Sequence, residues 1–366
     1  MRAPIEISSA YCPMPKHLLV VLALAWFVLA GCAGSIELLP VKFSPVCVQC
    51  DHAACDTPPP LNLTYLGAGG FLMSRNTDEI ATGPFFSNPD IFDVALFPIK
   101  SNVDAVERYL PEGPELKAIL VGRGHYDHLM DIPTVVRLRA PNATIYASES
   151  GAFLLASVIP MDAFETVDKR AWPDKKPQDR MTVPGTAARV RLLAITSKHA
   201  PHAFGITLFH GEYLKARPLP SRAGDWLDGP THSFLIEFRG ADGNPEFRVH
   251  YQGTATDGGI GMPPKHLEAD GGQVPYTILL PTVASSGNLS NYPERLVERL
   301  NPDYTVLGHW EDFFLSFSKD RETLRSARLT NVAEFIKKLK VAMGSSAYTL
   351  SAPLTKIRFA RHCLEA

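Results

Sequence analysis

Val121-Gly-Arg123-Gly-His125-Tyr-Asp127-His128-Leu-Met-Asp131 directly continues the apolar run Ala118-Ile-Leu-Val121, and the two together decide the fold. The apolar run reads as a buried strand. The four residues from His125 carry two imidazoles and a carboxylate. Neutral nitrogen and anionic oxygen donors converging at a rigid strand end are what a borderline metal ion needs. Arg123 breaks the pattern, because a guanidinium is always charged and has no lone pair to give.

Partners for this cluster recur at later strand ends. Leu63–Met73 reads as a strand, a glycine-permitted close approach and a second strand, and Glu79–Gly83 as a turn out of the sheet. Val103–Leu110 has helical spacing, Thr144–Ala147 reads as a strand, and Ala152–Val158 as a short helix. The strand Arg189–Ile195 delivers His199 and His202. Gly211–Pro230 contains three prolines and no periodicity, which reads as a mobile loop, a lid over the site. In the alternating strand Thr231–Phe238, His232 shares a face with Phe234 and Ile236, the place of a core histidine. The strand Phe247–Gly253 leads to Thr254 and Asp257, and Tyr276–Leu280 is a further buried run. A helix over Asn291–Leu300 leads to the strand Tyr304–Leu307, which delivers His309 and Trp310; an amphipathic helix follows over Asn331–Val341. Four strand ends therefore carry ligand-type or polar residues: 123–128, 199–202, 253–257 and 309. In α/β proteins such ends converge on one site.

The 366 residues carry a net charge of −2, with no basic field for nucleic acid, so a small-molecule or lipid-like partner is expected. Lys16-His17, the apolar run Leu18–Ala30 and Gly31-Cys32 read as a secretion signal over residues 1–31, too short to span a bilayer comfortably. Leu29-Ala-Gly-Cys32 resembles a bacterial lipobox. It implies a lipidated Cys32 that anchors the chain in the membrane of the bacterial cell envelope, at the outer membrane or periplasmic face. Residues 32–60 end in Pro58-Pro-Pro60 and read as a linker, leaving 61–366 as a single domain. In that oxidising compartment Cys47, Cys50, Cys55 and Cys363 read as disulfide partners, or with His52 as a small metal knot.

The order and spacing of the motifs resemble the metallo-β-lactamase superfamily of hydrolases over about residues 61–341. The nearest likeness is to its phosphodiesterase-like members, including the phospholipase D-type enzymes acting on N-acylethanolamine lipids. The resemblance implies an α/β fold, the αββα sandwich of two mixed sheets packed face to face with helices outside. Its signature, His-x-His-x-Asp-His, then a lone His, an Asp after Gly and a final His, matches here at His125, Asp127, His128, His199 (with His202 as rival) and His309. Three positions depart from it. Arg123 replaces the first histidine, Thr254 replaces the bridging aspartate, and Gly83 stands where an aspartate often precedes the proline. Asp257 is the remaining candidate for the bridge. The first metal of the family would keep His125 and His199, with His202 a possible addition, and the second would keep Asp127, His128 and His309.

A mononuclear zinc hydrolase is thus expected on the second set, with iron or manganese also suited to such donors. A zinc-bound hydroxide would cleave a phosphodiester or ester while Arg123 holds the anionic oxygen, so Asp127 and Arg123 are the expected catalytic residues. The alternative is a catalytically degenerate, envelope-tethered binding protein of the same fold. Asp131 is expected to cap a helix or orient a ligand histidine, and Trp310 to pack.

Overall fold

On the first strand, β1 (Leu61–Gly67), Leu61, Leu63 and Tyr65 enter one core while Leu66 enters another. The alternation continues through β2 (Gly70–Arg75), β3 (Asp78–Thr82) and β4 (Ala118–Leu120). Phe71, Met73, Ile80 and Leu120 face the first core, and Leu72, Ala81 and Ile119 the second. A sheet apolar on both faces has to be covered on both. The structure, a computed structural model, describes residues 59–360 apart from 177–178, 203–204, 258, 266–274, 321–322 and 345. The signal, Cys32, the other cysteines, His266 and nearly all of the linker lie outside the described residues.

The outer face of this sheet is covered by helices α1 (Ile91–Leu96), α2 (Val103–Tyr109), α3 (Tyr126–Leu129), α4 (Ile132–Arg139) and α5 (Glu149–Leu155). They contribute Val94, Val106, Leu129, Ile132, Val135 and Leu154 to the second core. The strands β5 (Thr144–Ala147) and β6 (Phe164–Thr166) complete that side of the sheet by parallel pairing beyond β4.

The inner face meets a second sheet built from β7 (Met181–Thr182), β8 (Val190–Ser197), β9 (Thr231–Arg239), β10 (Pro245–Gln252) and β11 (Tyr276–Leu280). Leu192, Ala194, Phe234, Ile236, Phe247 and Val249 close the core between the sheets. Helix α6 (Glu294–Leu300), β12 (Tyr304–Val306), helix α7 (Val332–Met343), β13 (Ala347–Thr349) and β14 (Lys356–Phe359) follow in order. Leu296, Val332, Phe335 and Leu339 of the two helices join the same apolar cluster. The sheets run β14-β1-β2-β3-β4-β5-β6 and β13-β12-β11-β10-β9-β8-β7. Each has an antiparallel half and a parallel half, so the architecture is the expected αββα sandwich of two mixed sheets.

Several local expectations shift. Helix α5 begins at Glu149, ahead of the expected Ala152, because the Ser148 hydroxyl accepts the Gly151 N–H at 3.0 Å and caps it there. The residues expected to turn out of the sheet from Glu79 instead pair with β2 and β4. Strands β13 and β14 lie beyond the end of the family resemblance and supply one edge of each sheet.

The expected lid is tied down. Trp226 and Ala223 are buried, Gly124 N–H donates to Asp228 O at 2.7 Å, Ile99 N–H donates to Ser221 O at 2.7 Å, and the Asp228 carboxylate takes Gly211 N–H at 2.9 Å. Absence of periodicity hides such long-range anchoring, which holds the ends of the segment under the opening motif while residues 214–219 stay exposed.

Candidate metal centre

The motif leaves β4 at Leu120 and reaches His125, which occupies the N-cap position of α3, so Asp127 and His128 sit on one short helical turn. β8 ends at Ser197, two residues before His199; β10 ends at Gln252, just before Gly253 and Thr254; and β12 ends at Val306, three before His309. A bridge between Thr282, just past β11, and Gly308 holds the ends of β11 and β12 level. The structure thus gathers His125, Asp127, His128, His199, His202 and His309, and all but His202 are fully buried.

They fall into two groups, His125-His199-His202 and Asp127-His128-His309, and within each the potential ligand atoms lie within 4.8 Å of one another. In the first, ring centroids stand 5.0 Å apart for His125–His199 and 4.5 Å for His199–His202. His199 Nδ1 faces the carbonyl of Ala200 at 2.6 Å, and a carbonyl can only accept, so Nδ1 carries the proton and Nε2 keeps its lone pair. That Nε2, like His125 Nε2, is buried with no hydrogen-bond partner. His202 differs. Its Nδ1 accepts the Leu208 N–H at 3.0 Å, so Nε2 holds the proton unless that bond is given up.

Arg123 enters the second group. Its Nη2 donates to Asp127 Oδ2 at 2.8 Å and lies 2.9 Å from His309 Nε2, while Nη1 donates to the Gly253 carbonyl at 2.7 Å. The two protons of one nitrogen suffice for Asp127 and His309. Asp127 Oδ2 also lies 3.0 Å from His309 Nε2 and 3.1 Å from His128 Nε2. Lone pairs crowded this closely need a cation among them, and the guanidinium supplies one. The position of the missing bridge holds Thr254, buried, with its hydroxyl on the Ala255 carbonyl at 3.2 Å. Asp257 is exposed and belongs to neither group.

The electrostatics follow from burial and this one charge. Burial works against an ionised Asp127, yet the Arg123 guanidinium beside it outweighs that and holds the carboxyl well below the usual carboxylate range. Burial, then Arg123, holds His125 and His199 well below an ordinary imidazole, and the same causes push His128 and His202 down to about 4. These four are neutral at pH 7, the state in which an imidazole ligates.

Residues not singled out from the sequence hold the site in place. The His309 N–H donates to the Tyr65 hydroxyl at 3.0 Å; that hydroxyl donates to Glu311, which also takes the Ala68 N–H. The network fixes His309 at φ 54°, a left-handed conformation that a histidine adopts only under constraint. Gly69 and Gly83 flank the His128 ring: a Cβ on Gly69 would lie 2.2 Å from His128 Cε1, and one on Gly83 2.9 Å from Nδ1. Gly83 therefore leaves room for the ring where the family often carries an aspartate. Asp131 stands at the start of α4 without capping it; its carboxylate accepts the Phe86 and Ser87 N–H groups at 2.7 and 2.9 Å. Trp310 packs, fully buried, with Nε1 donating to the Ser351 carbonyl at 3.1 Å.

A cavity opens over the centre, walled by Ile91, Val94, Phe209, Phe313, Phe314 and Leu329, and reached by Arg123, His125, His199, His202 and His309. Away from it, burial pushes His232 and His250 down to about 4 from 6.5. A folded value below the unfolded one means the stabilisation is full above about pH 6.5 and is lost as pH falls toward 4. Each such histidine makes acidification through that range cost about 3 kcal/mol of stability, because the unfolded chain takes up the proton first. In chemical denaturation, His250→Gln is expected to flatten the dependence of stability on pH between 6.5 and 4.5 by one proton's worth. An unchanged slope would mean that His250 titrates normally in the folded protein.

A scan against protein-family models returns no match, and a search of curated proteins returns none. Among solved structures the chain is similar to Igni18, a metallo hydrolase from the hyperthermophilic archaeon Ignicoccus hospitalis, at 14% identity over 82% of this chain and 98% of that one, with a TM-score of 0.46. It is similar to the metallo-beta-lactamase fold protein YhfI from Bacillus subtilis at 12% identity, covering 82% and 99% of the two chains, with a TM-score of 0.43. It is also similar to an isothiocyanate hydrolase from Delia radicum gut bacteria at 12% identity, covering 82% and 99%, with a TM-score of 0.44.

Proposed function

We propose that the chain is a metal-dependent hydrolase with one divalent ion, held by His125, His199 and His202, and with Arg123 standing in place of a second. The observation that carries this reading is the single guanidinium nitrogen in contact with both Asp127 and His309. The sequence alone favours an ion on Asp127, His128 and His309. With Arg123 bonded to two of those three, a dication there would meet a fixed positive charge a few ångströms away, a repulsion of order several kcal/mol. The histidine group suits an ion better: its rings are neutral at pH 7, and two of its buried Nε2 atoms have no other partner. His202 joins by switching tautomer and releasing Leu208.

His125, His199 and His202 would hold a divalent ion that would supply Lewis-acid chemistry for ester or phosphodiester hydrolysis. The protein's own contribution is preorganised charge. Asp127 and the Gly253 carbonyl fix the guanidinium in the cavity lining, where its charge favours an anionic oxygen as charge develops. The apolar walls exclude water and favour a substrate with a hydrocarbon part, consistent with a lipid-like partner at the envelope.

One observation favours a second reading, a binding protein that has given up its chemistry: Arg123 balances the charge of Asp127 with no ion at all. Assays with a chromogenic phosphodiester, an ester and a lactone separate the two. Turnover of at least one, lost with a chelator and restored by zinc, manganese or iron, is expected; no turnover and no bound metal would leave the binding protein.

A further inference from the structure

Thirteen large apolar side chains are exposed among the described residues, and six of them line the cavity or lie within three positions of a residue that does. Phe92, Leu96 and Phe97, each more than half exposed, belong to or directly follow α1, whose Ile91 and Val94 line the cavity wall. Ile206 precedes the lining residues Leu208 and Phe209, Leu315 follows the lining Phe313-Phe314 pair, and Leu329 is itself part of the wall. Asn88 Nδ2 donates to the Leu315 carbonyl at 3.0 Å and ties two of these segments together. Isolated exposed apolar residues need no explanation, but a collar continuous with an apolar cavity does.

We infer that this collar docks on the surface of a lipid bilayer, laying the cavity mouth against the lipid. The inference rests on the cavity being the substrate site. An apolar tail then passes from hydrocarbon into the Phe209, Phe313 and Phe314 walls without crossing water.

The chain outside the described residues favours a bilayer over other occupants. It contains the apolar run Leu18–Ala30 and Cys32, followed by a stretch that reaches Leu61. β1 runs in the same direction as β4, so Leu61 enters at the end of the strands away from the site. Fully extended, the stretch from Cys32 to Leu61 would span roughly 100 Å. Such a tether holds the domain near a surface without choosing which end faces it. The collar makes that choice, and near a surface even modest apolar contact suffices. Near the collar Arg328 is paired with Asp312 at 3.3 Å, and Asp90 and Asp93 leave no positive field, so the attraction is apolar and a zwitterionic surface is enough.

Hydroxyl-radical footprinting of the full chain, with and without vesicles of saturated phosphatidylcholine, tests this by the solvent access of individual side chains and needs no turnover. Failure of the hydrolase reading therefore leaves it readable. Oxidation of Phe92, Leu96 and Phe97 is expected to fall several-fold on vesicles, equally at low and high salt, while exposed Met161 and Val341 are unchanged. Unchanged collar labelling on vesicles that carry the protein, or no association with them, overturns the inference. Collar protection without vesicles also overturns it: loss of that protection on dilution identifies a second copy of the chain, and its persistence identifies the chain's own apolar leader.

Discussion

Arg123→Met is expected to lower stability by about 3–5 kcal/mol in metal-free buffer, the usual cost of leaving one member of a buried ion pair unmatched. Asp127 is 3% exposed and depends on the guanidinium for its charge. Without it, burial is the largest influence left, and it pushes the carboxyl up. In the unmodified protein Asp127 is held below its unfolded value, so its stabilisation is full above about pH 4 and lost only in stronger acid. The variant moves that loss to higher pH. Removing the guanidinium also frees Asp127, His128 and His309 for a cation, so excess zinc is expected to restore most of the lost stability and to raise the metal content from one to two per chain. Denaturation with and without zinc checks this; a variant as stable as the parent without metal would show that the pair contributes nothing.

Gly69→Ala is expected to reduce turnover by roughly a hundredfold while leaving the sandwich folded, because a displaced His128 ring presses on Asp127, 3.1 Å away, and shifts the Arg123 guanidinium that Asp127 fixes, and a misplacement of about 1 Å costs that much. The added methyl would lie 2.2 Å from His128 Cε1 and 3.1 Å from the Tyr251 hydroxyl, and His128 is completely buried, so the ring has no space to retreat into. The overpacking itself costs about 1–3 kcal/mol. Gly287→Ala is the control: nothing lies within 4 Å of its added Cβ, and neither stability nor turnover should change. Equal behaviour of the two variants would mean that His128 is not held against the β1–β2 turn.

Much of the sandwich is legible where strands are buried on both faces. Thr144–Ala147 and Tyr276–Leu280 are runs dominated by β-branched, aromatic and aliphatic residues, and the structure places strands at those residues. The short edge strands were illegible for the converse reason. Lys356–Phe359 alternates exposed and buried over only four residues, and Phe164–Thr166 is half-buried throughout, so neither carries a pattern long enough to distinguish from a loop. Helix α4 was obscured by a proline near its start, which a first turn tolerates, and by arginines in its last turn.

The residue types of the centre were legible because His and Asp at strand ends have few other uses. What spacing does not encode is where a long side chain points. Arg123 reads as a vacancy among the ligands of the first metal, whereas its guanidinium crosses to the ligands of the second. Tyr65 and Glu311 stand 246 positions apart, and no local signal links them to each other or to the backbone of His309.

The most direct test of this account is the location of the metal in crystals of the protein grown with zinc, read from anomalous scattering at the zinc edge. The expected result is one peak per chain, among His125, His199 and His202, with the Arg123 guanidinium still on Asp127 and His309. A peak ligated by Asp127, His128 and His309, with Arg123 swung away, would contradict it.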